Sequence, residues 1–357
     1  MEPIIAPVSV EILKSELTPS KKLRDTNKSN NEIYVINHHD SPNVMREIGR
    51  LREEAFRDSG GGSGLSMDID EYDTMENPYQ QLIVWDPDAE KIIGGYRFIL
   101  GGDIKLDDNG QPVLATAHMF HFSEKFIKDY LPYTIELGRS FVTPEYQSSK
   151  AGAKALFALD NLWDGLGALA IERPNMKYFF GKMTMYPEYN REARDLIQYF
   201  LFKHFEDKEK LVTPYEPLKI ETSVEYMKSL LTEKEFKEDY KLLNAEVRKR
   251  GVNIPPLVNS YMGLSPTMKM FGGGINHEFS EAEETCILIS FDDIYDAKKT
   301  RHIESFIKEK IQHIKERFPL FFENMGENLG EMVASKRAAV QAKIARRQQK
   351  RKRGKQL

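Results

Sequence analysis

The residues best suited to chemistry lie in Glu136-Leu-Gly-Arg-Ser-Phe-Val142, where two charged side chains share one predicted strand. A regular strand alternates its side chains between two faces, so Glu136 and Arg139 would point in opposite directions. A β-bulge, which Gly138 would permit, would bring both to one face and free a backbone N–H group. The freed N–H group could hold the oxygen of a thioester as it becomes an oxyanion. The alternative is a buried salt bridge that only sets the register of the strand.

The loop after this strand, Gln147-Ser-Ser-Lys150-Ala-Gly152-Ala153, opens a predicted helix over residues 151–171. The N–H groups and the dipole at a helix start attract phosphate, and Lys150 adds positive charge. Gly152 and Ala153 would let a ligand approach the backbone closely. The loop could hold the pantetheine phosphate of an acyl carrier, but small residues at a helix start more often serve only packing.

A second polar group consists of Arg52 and Phe56, one helical turn apart, Asp70 and Asp73 in an acidic stretch, and Arg97 in a predicted strand. The acidic stretch lacks the ligand spacing of a twelve-residue calcium loop. The alternative interpretation is a solvated helix face beside a solvated loop.

The elements that must position these residues follow from hydrophobic periodicity. A helix is predicted from Pro42, capped by Ser41, to about Arg57, and a hairpin across Asp86-Pro87-Asp88. Strands are predicted at 32–36, 81–85, 91–100, 113–122, 133–142, 178–185 and 285–291, a mostly helical insertion at 190–250, and a charged helix at 297–317. The order predicts an α/β (or α+β) fold with an early antiparallel sheet and a helical crossover after strand 133–142.

Four motifs in this order resemble a known family. R-x-x-x-F (Arg52, Phe56), D-x-x-D (Asp70, Asp73), G-x-Y-R ending at Arg97, and E-L-G-R-S-F-V are similar to GNAT-type acyltransferases that use acyl carrier protein. That group includes the acyl-homoserine-lactone synthases and the hemolysin-like N-acyltransferases that make lyso-ornithine or glycine lipids. Later segments resemble the lipid-forming branch: Tyr178–Gly181, Pro255–Leu257, Gly272–Gly274, His277–Phe279 and the strand around Cys286. The resemblance covers residues 32–295.

The resemblance implies a GNAT-like mixed, twisted sheet split at strand 133–142, with domain limits at 1–30, 31–295 and 296–357. It implies transfer of a (3-hydroxy)fatty acyl group from an acyl carrier protein thioester, or acyl-CoA, to an amino acid such as glycine or ornithine, the first step of aminolipid synthesis. No permanently bound cofactor and no metal is expected.

The same resemblance assigns residue roles. Glu136 and Arg139 would be catalytic, with Arg139 and Arg97 holding the acceptor carboxylate or anchoring the acidic loop. The acceptor side would comprise Arg52, Phe56, Asp70, Asp73, Arg97 and Ser140, and the donor side Phe141, Val142, Gln147, Lys150, Gly152 and Ala153. Two other functions stay open: a signal synthase like the homoserine-lactone makers, and a non-catalytic GNAT-fold module that binds membrane or RNA.

Composition limits the chemistry, the partners and the cellular location that are expected for this chain. Cys286 is the only cysteine among 357 residues, which excludes an internal disulfide and a thiolate metal cluster. The net charge is -4, yet residues 336–357 carry ten Lys or Arg and no acid. Such a tail favours contact with an anionic membrane, whereas nucleic acid is disfavoured because few aromatic residues interleave with the charges. With no secretory signal and no long apolar span, the expected location is the cytoplasm, with peripheral contact at the inner face of the membrane.

Overall fold

The computed structural model describes residues 1–147 and 153–317. Its strands are β1 (Lys22–Asp25), β2 (Glu32–Ile36), β3 (Gln80–Asp86), β4 (Lys91–Leu100), β5 (Phe120–Phe122), β6 (Thr134–Val142), β7 (Tyr178–Met185), β8 (Val212–Pro214), β9 (Lys269–Asn276) and β10 (Ala282–Ser290). Its helices are α1 (Val10–Glu16), α2 (Pro42–Asp58), α3 (Glu71–Thr74), α4 (Pro144–Gln147), α5 (Ala153–Glu172), α6 (Arg191–Phe205), α7 (Val224–Leu230), α8 (Phe236–Lys249), α9 (Pro256–Met262), α10 (Asp296–Lys299) and α11 (Ser305–Arg317).

Eight strands form one mixed sheet in the order β1-β2-β3-β4-β6-β7-β10-β9. Every neighbouring pair is antiparallel except β6 and β7, which are parallel and joined by the crossover helix α5. A parallel pair needs such a crossover because the chain must return to the same end of the sheet. The predicted mixed α/β fold and the crossover after β6 are confirmed.

The sheet splits between β6 and β7. These strands pair only over Thr134–Leu137 and Tyr178–Gly181. Beyond that point β6 continues along β4, whereas β7 continues along β10. The two strands therefore diverge and leave an opening in the middle of the sheet, as the GNAT resemblance implies.

Each face of the sheet is covered by helices. On the α2 face, helix α2 packs through Ile48 on Ile83 and Phe141. On the α5 face, helix α5 packs through Leu162 on Leu82 and Leu137. Strands β2, β3 and β4 are apolar on both sides because both faces are buried.

The N-terminal segment supports helix α2. Ser41 precedes the helix as predicted, but its side chain makes no capping hydrogen bond. Instead the Glu16 carboxylate accepts from the backbone N–H groups of Asn43 and Val44, at 3.0 and 2.8 Å. A carboxylate at this end also complements the positive pole of the helix.

Two strand predictions need correction. The predicted strand at 113–122 is wrong apart from Phe120–Phe122, which pairs with β8 in a separate two-stranded sheet. Leu114 to Met119 instead form turns, and their apolar character reflects burial in a loop. Strand β9 was not predicted, because Gly272-Gly-Gly274 lacks side chains that signal a strand.

Residues Met1–Ile303 form one compact unit, and a second unit begins at Glu304. The mostly helical character predicted for 190–250 is confirmed by α6, α7 and α8, with the short β8 between them. The domain limits at residues 30 and 295 stay predictions. Among the described residues, no helix is both long and apolar enough to cross a membrane.

Candidate active site

A cavity of about 770 Å³ occupies the split between β6 and β7. Its lining comes from both faces of the sheet, so the cavity passes through the split from one face to the other. The α5 face contributes mostly apolar groups: Tyr96, Leu137, Ala158, Leu159, Phe179, Leu257 and Tyr261. The α2 face contributes Phe56, Arg97, Glu136, Arg139, Phe141, Lys182, Tyr186 and Glu284.

Strand β6 carries the bulge that would bring Glu136 and Arg139 together. Gly95 pairs with Phe141 and Arg97 with Gly138, so β6 holds one residue more than β4 between these pairs. Arg139 has a φ of 47°, in the left-handed region. The predicted bulge is confirmed, but the positive φ belongs to Arg139 rather than to Gly138.

The bulge changes which side chains share a face. Arg139 lies over the ring of Phe279, which packs in the core of the α2 face. Glu136 bonds to Thr116 on the same face. Ser140 turns to the α5 face, close to the Tyr96 hydroxyl, whose pKa is raised by burial and lowered in part by Ser140. Regular alternation, which would group Glu136 with Ser140, is therefore wrong for this segment.

Glu136 lies in the cavity wall where β6 and β7 begin to separate. Only 2% of its surface is exposed. Oε1 accepts a hydrogen bond of 2.5 Å from Thr116 Oγ1. Oε2 has no hydrogen-bond partner at ordinary distance among the residues that the structure describes. The Tyr79 hydroxyl is close to this carboxylate, and its pKa is raised by burial and then by Glu136. A buried carboxylate oxygen without a partner has a strong tendency to bind a donor, because desolvation leaves its charge uncompensated.

Behind the cavity, two arginines fix the acidic loop. Arg52 donates to Asp73 over 3.0 Å, and Arg97 donates to Asp70 over 2.6 Å. Asp70 and Asp73 also form the capping box of helix α3. Burial would raise the pKa of the Asp70 carboxyl, but Arg97 and Arg139 outweigh this effect and lower it to about 2.

A third arginine completes this network. Arg139 Nε donates to Asp68 Oδ2 over 2.9 Å, and its Nη2 lies 3.5 Å from Asp70. Asp68 was not predicted as a site residue, because it matches no part of the D-x-x-D pattern. Three arginines thus face three aspartates, and the network (Arg52, Arg97, Arg139, Asp68, Asp70 and Asp73) has no excess charge of either sign.

The structure separates the predicted site residues into two groups. Phe56, Arg97, Glu136, Arg139, Ser140, Phe141, Val142 and Gln147 line the cavity. Arg52, Asp70 and Asp73 are not among its lining residues and form the ion network behind it. The solvated alternative for Arg52 and Asp73 is wrong, since both side chains are buried.

The predicted donor-side loop is only partly described. Gln147 Nε2 donates to the backbone oxygen of Val142, at the end of β6. Ala153 begins helix α5, but its side chain, like Lys150 and Gly152, lies outside the described residues, as does the basic tail at 336–357.

Most cavity residues were not predicted as site residues, among them Lys182, Glu284 and Tyr261. Lys182 and Glu284 form an ion pair across the neighbouring strands β7 and β10, and the Tyr261 hydroxyl lies 3.4 Å from that of Tyr96. A sequence signal exists for the first two, because charged residues inside otherwise apolar strands are unusual.

Catalysis by a cysteine nucleophile or by a metal ion finds little support in the described residues. Cys286 is buried in β10, and burial raises the pKa of its thiol well above the usual value, which disfavours the nucleophilic thiolate. Among the described residues, no group of three or more His, Cys, Asp or Glu could hold a metal ion.

A mixed sheet split by a bulged strand, with a buried carboxylate beside a long cavity, defines this protein as an acyltransferase of the GNAT class. In agreement, the sequence pattern of the GNAT acetyltransferase domain family matches residues 51–156.

Two relatives show to which family within the GNAT class the chain belongs. The chain is 66% identical over 315 residues to a glycine N(alpha)-acyltransferase of Phocaeicola vulgatus, which covers 88% of this chain and 97% of that protein. A glycine N(alpha)-acyltransferase of Bacteroides thetaiotaomicron is also 66% identical over 315 residues, covering 88% and 94%. The chain therefore belongs to the glycine N(alpha)-acyltransferase family. The solved structure of the AHL synthase LasI is 11% identical, with a TM-score of 0.32 over 74% of this chain and 91% of that one.

Proposed function

We propose that this enzyme transfers a fatty acyl group, including 3-hydroxyacyl groups, from acyl carrier protein to the amine of glycine, as the first step of aminolipid synthesis. Glycine is favoured over ornithine because both relatives are named for glycine. Acyl carrier protein is favoured over coenzyme A by the motif series that ends in Glu136–Val142.

The observation that carries the proposal is the buried Glu136 carboxylate in the wall of the cavity, whose Oε2 has no hydrogen-bond partner in the described part of the chain. The nearby arginines are matched by aspartates, and Lys182 is matched by Glu284. Glu136 forms no ion pair with any described residue, so its negative charge is available to the acceptor. An amine that arrives as ammonium would supply the missing charge.

In the proposed reaction, the neutral amine nitrogen attacks the carbonyl carbon of the thioester. A C–N bond forms, the C–S bond breaks, and the carrier leaves as a thiolate. Glu136 accepts the proton that the nitrogen loses, directly or through one water, and that proton reaches the thiolate to give the thiol. The ammonium form of the acceptor releases one further proton to solvent before attack.

The bulge would stabilise the developing oxyanion. At Arg139 and Ser140 the ladder to β4 is interrupted, so a backbone N–H group at this point can serve as the oxyanion donor. The Arg139 guanidinium, held by Asp68, adds positive charge beside it.

The apolar part of the cavity would hold the acyl chain. Leu137, Ala158, Leu159 and Leu257 supply aliphatic lining that matches a hydrocarbon. Burial of each methylene is worth about 0.8 kcal/mol, so a long chain contributes strongly to donor affinity.

The test is acyl transfer by the purified protein from 3-hydroxyacyl carrier protein to a panel of amino acids, read by mass spectrometry. We expect N-acylglycine as the main product and a loss of kcat on the order of 100-fold or more in Glu136→Gln. Glu90→Gln, which removes an exposed carboxylate paired with Lys14, is the matched control.

The outcomes separate the parts of the proposal. Full activity in Glu136→Gln would remove this residue from proton transfer. A product only with acyl-CoA would overturn the carrier-protein donor, and a product only with other amino acids would overturn glycine.

We also propose that residues 336–357 bind anionic membrane, because their ten positive charges are worth about 1 kcal/mol each near such a surface. A chain lacking these residues should lose co-sedimentation with phosphatidylglycerol vesicles while keeping acyl transfer. Equal sedimentation of both chains would contradict this role.

A further inference from the structure

Lys182 occupies the first position of β7 beyond its pairing with β6. Gly181 is the last residue of β7 to face a partner on β6, namely Leu137. The mostly buried Lys182 side chain lines the cavity at this point. The proposed acyl transfer gives it no role.

Buried groups hold Lys182 in place. Its ammonium pairs with Glu284, whose carboxylate also accepts from Thr184 Oγ1 at 3.2 Å and from Asn276 Nδ2 at 3.0 Å. Burial would raise the pKa of Glu284, but Lys182 and Asn276 outweigh it, so the net direction is downward. Glu284 therefore stays ionised and anchors the Lys182 side chain.

The ammonium has capacity left for a ligand. Of its three N–H donors, one serves Glu284 and another points to the thioether of Met119, 3.8 Å away. A thioether is a weak acceptor, and the third donor has no partner among the residues that the structure describes. An anion in the cavity would satisfy it.

The position relative to Glu136 fits a small amino acid. Glu136 lies beside Phe180 across the β6–β7 pair, and Lys182 is two residues further along β7, on the same face. Regular strand spacing and rise per residue would put the two Cα atoms about 8 Å apart, and the divergence of the strands beyond Gly181 widens this gap, with both side chains directed to one side. An α-amino acid placed between them would present its amine to Glu136 and its carboxylate to Lys182.

We propose that Lys182 binds the α-carboxylate of the acceptor amino acid, and that Glu284 and Asn276 position it for this purpose; this inference rests on the proposed function above. In this proposal Lys182 takes the place of Arg97 and Arg139 as the carboxylate holder. Each of these arginines contacts two aspartates, whereas Lys182 contacts a single carboxylate. Lys182 thus selects acceptors that carry an anion next to the reacting amine.

The test compares glycine with glycinamide, which keeps the amine but lacks the negative charge. In Lys182→Met, we expect KM for glycine to rise on the order of 10- to 100-fold, as for loss of a charge-assisted hydrogen bond. KM for glycinamide should change little, and Lys182→Arg should recover much of the glycine affinity.

Loss of Lys182 alone leaves Glu284 buried without its cation and can unfold the protein. The double variant Lys182→Met/Glu284→Gln removes both charges and keeps the measurement possible. An equal loss with glycine and glycinamide in this folded variant would overturn the role of Lys182. A wild-type enzyme that acylates no amino acid would instead overturn the proposed function itself.

Discussion

Arg52 Nη1 lies 3.0 Å from Asp73 Oδ2, and both side chains are buried between helix α2 and helix α3. Gln81 on β3 binds both members, accepting from Arg52 Nη2 and donating to Asp73 Oδ1. The pair thus ties the acidic loop to the sheet behind the cavity.

Removal of Arg52 should destabilise the fold strongly, because it leaves Asp73 buried with one cation fewer. We expect Arg52→Ala to lower the free energy of unfolding by about 3–5 kcal/mol in urea titrations. Lys105→Ala, which breaks the exposed pair with Glu76, is the control and should change little. Similar losses in the two variants would contradict this ranking.

The left-handed backbone at Arg139 predicts a specific stability order. Glycine adopts a φ near 47° without the penalty that a Cβ brings, so Arg139→Gly should be about 1 kcal/mol more stable than Arg139→Ala. Both variants lose the ion pair to Asp68, so their difference isolates the backbone. Equal stability of Arg139→Gly and Arg139→Ala in thermal and urea unfolding would contradict the left-handed backbone conformation of residue 139.

Helix α9 should influence the preference of the enzyme for acyl donors of different chain length. Leu257 lines the apolar part of the cavity, so Leu257→Trp should reduce kcat/KM for a long-chain donor about 10-fold more than for an acetyl donor. Ile220→Trp adds the same bulk outside the cavity lining and should not alter the preference. A uniform loss across chain lengths would place the acyl chain elsewhere.

The ion network predicts sensitivity to acid. The pKa of Asp70 is lowered from 3.8 to about 2, so its stabilising effect is complete above about pH 4 and is lost as the pH falls through about 2. The difference corresponds to about 2 kcal/mol of unfolding free energy.

Urea unfolding at several pH values, with Asp70→Asn beside the wild type, checks this effect. The wild type should lose more stability than the variant between about pH 4 and pH 2. Parallel pH profiles would rule out this contribution of Asp70.

Local sequence patterns predicted much of the frame of this site. The Glu136–Val142 segment showed that an acid and an arginine can share a face only if β6 contains a bulge, and the structure has one. The hairpin of β3 and β4, helix α2 and the α5 crossover were likewise predictable, because periodicity and turn residues act over a few neighbouring positions.

Which charged residues of the site pair with each other could be seen only in the folded chain. Asp68 meets Arg139 and Lys182 meets Glu284 from positions far apart in sequence, and no local pattern records such contacts. The fold therefore determines that aspartates neutralise Arg97 and that Lys182 faces the cavity. It also leaves one Glu136 oxygen without a hydrogen-bond partner among residues 1–147 and 153–317. The physical reason is that a buried charge must be paired with a charge that lies next to it in space. The local sequence does not reveal which residues become neighbours when the chain folds.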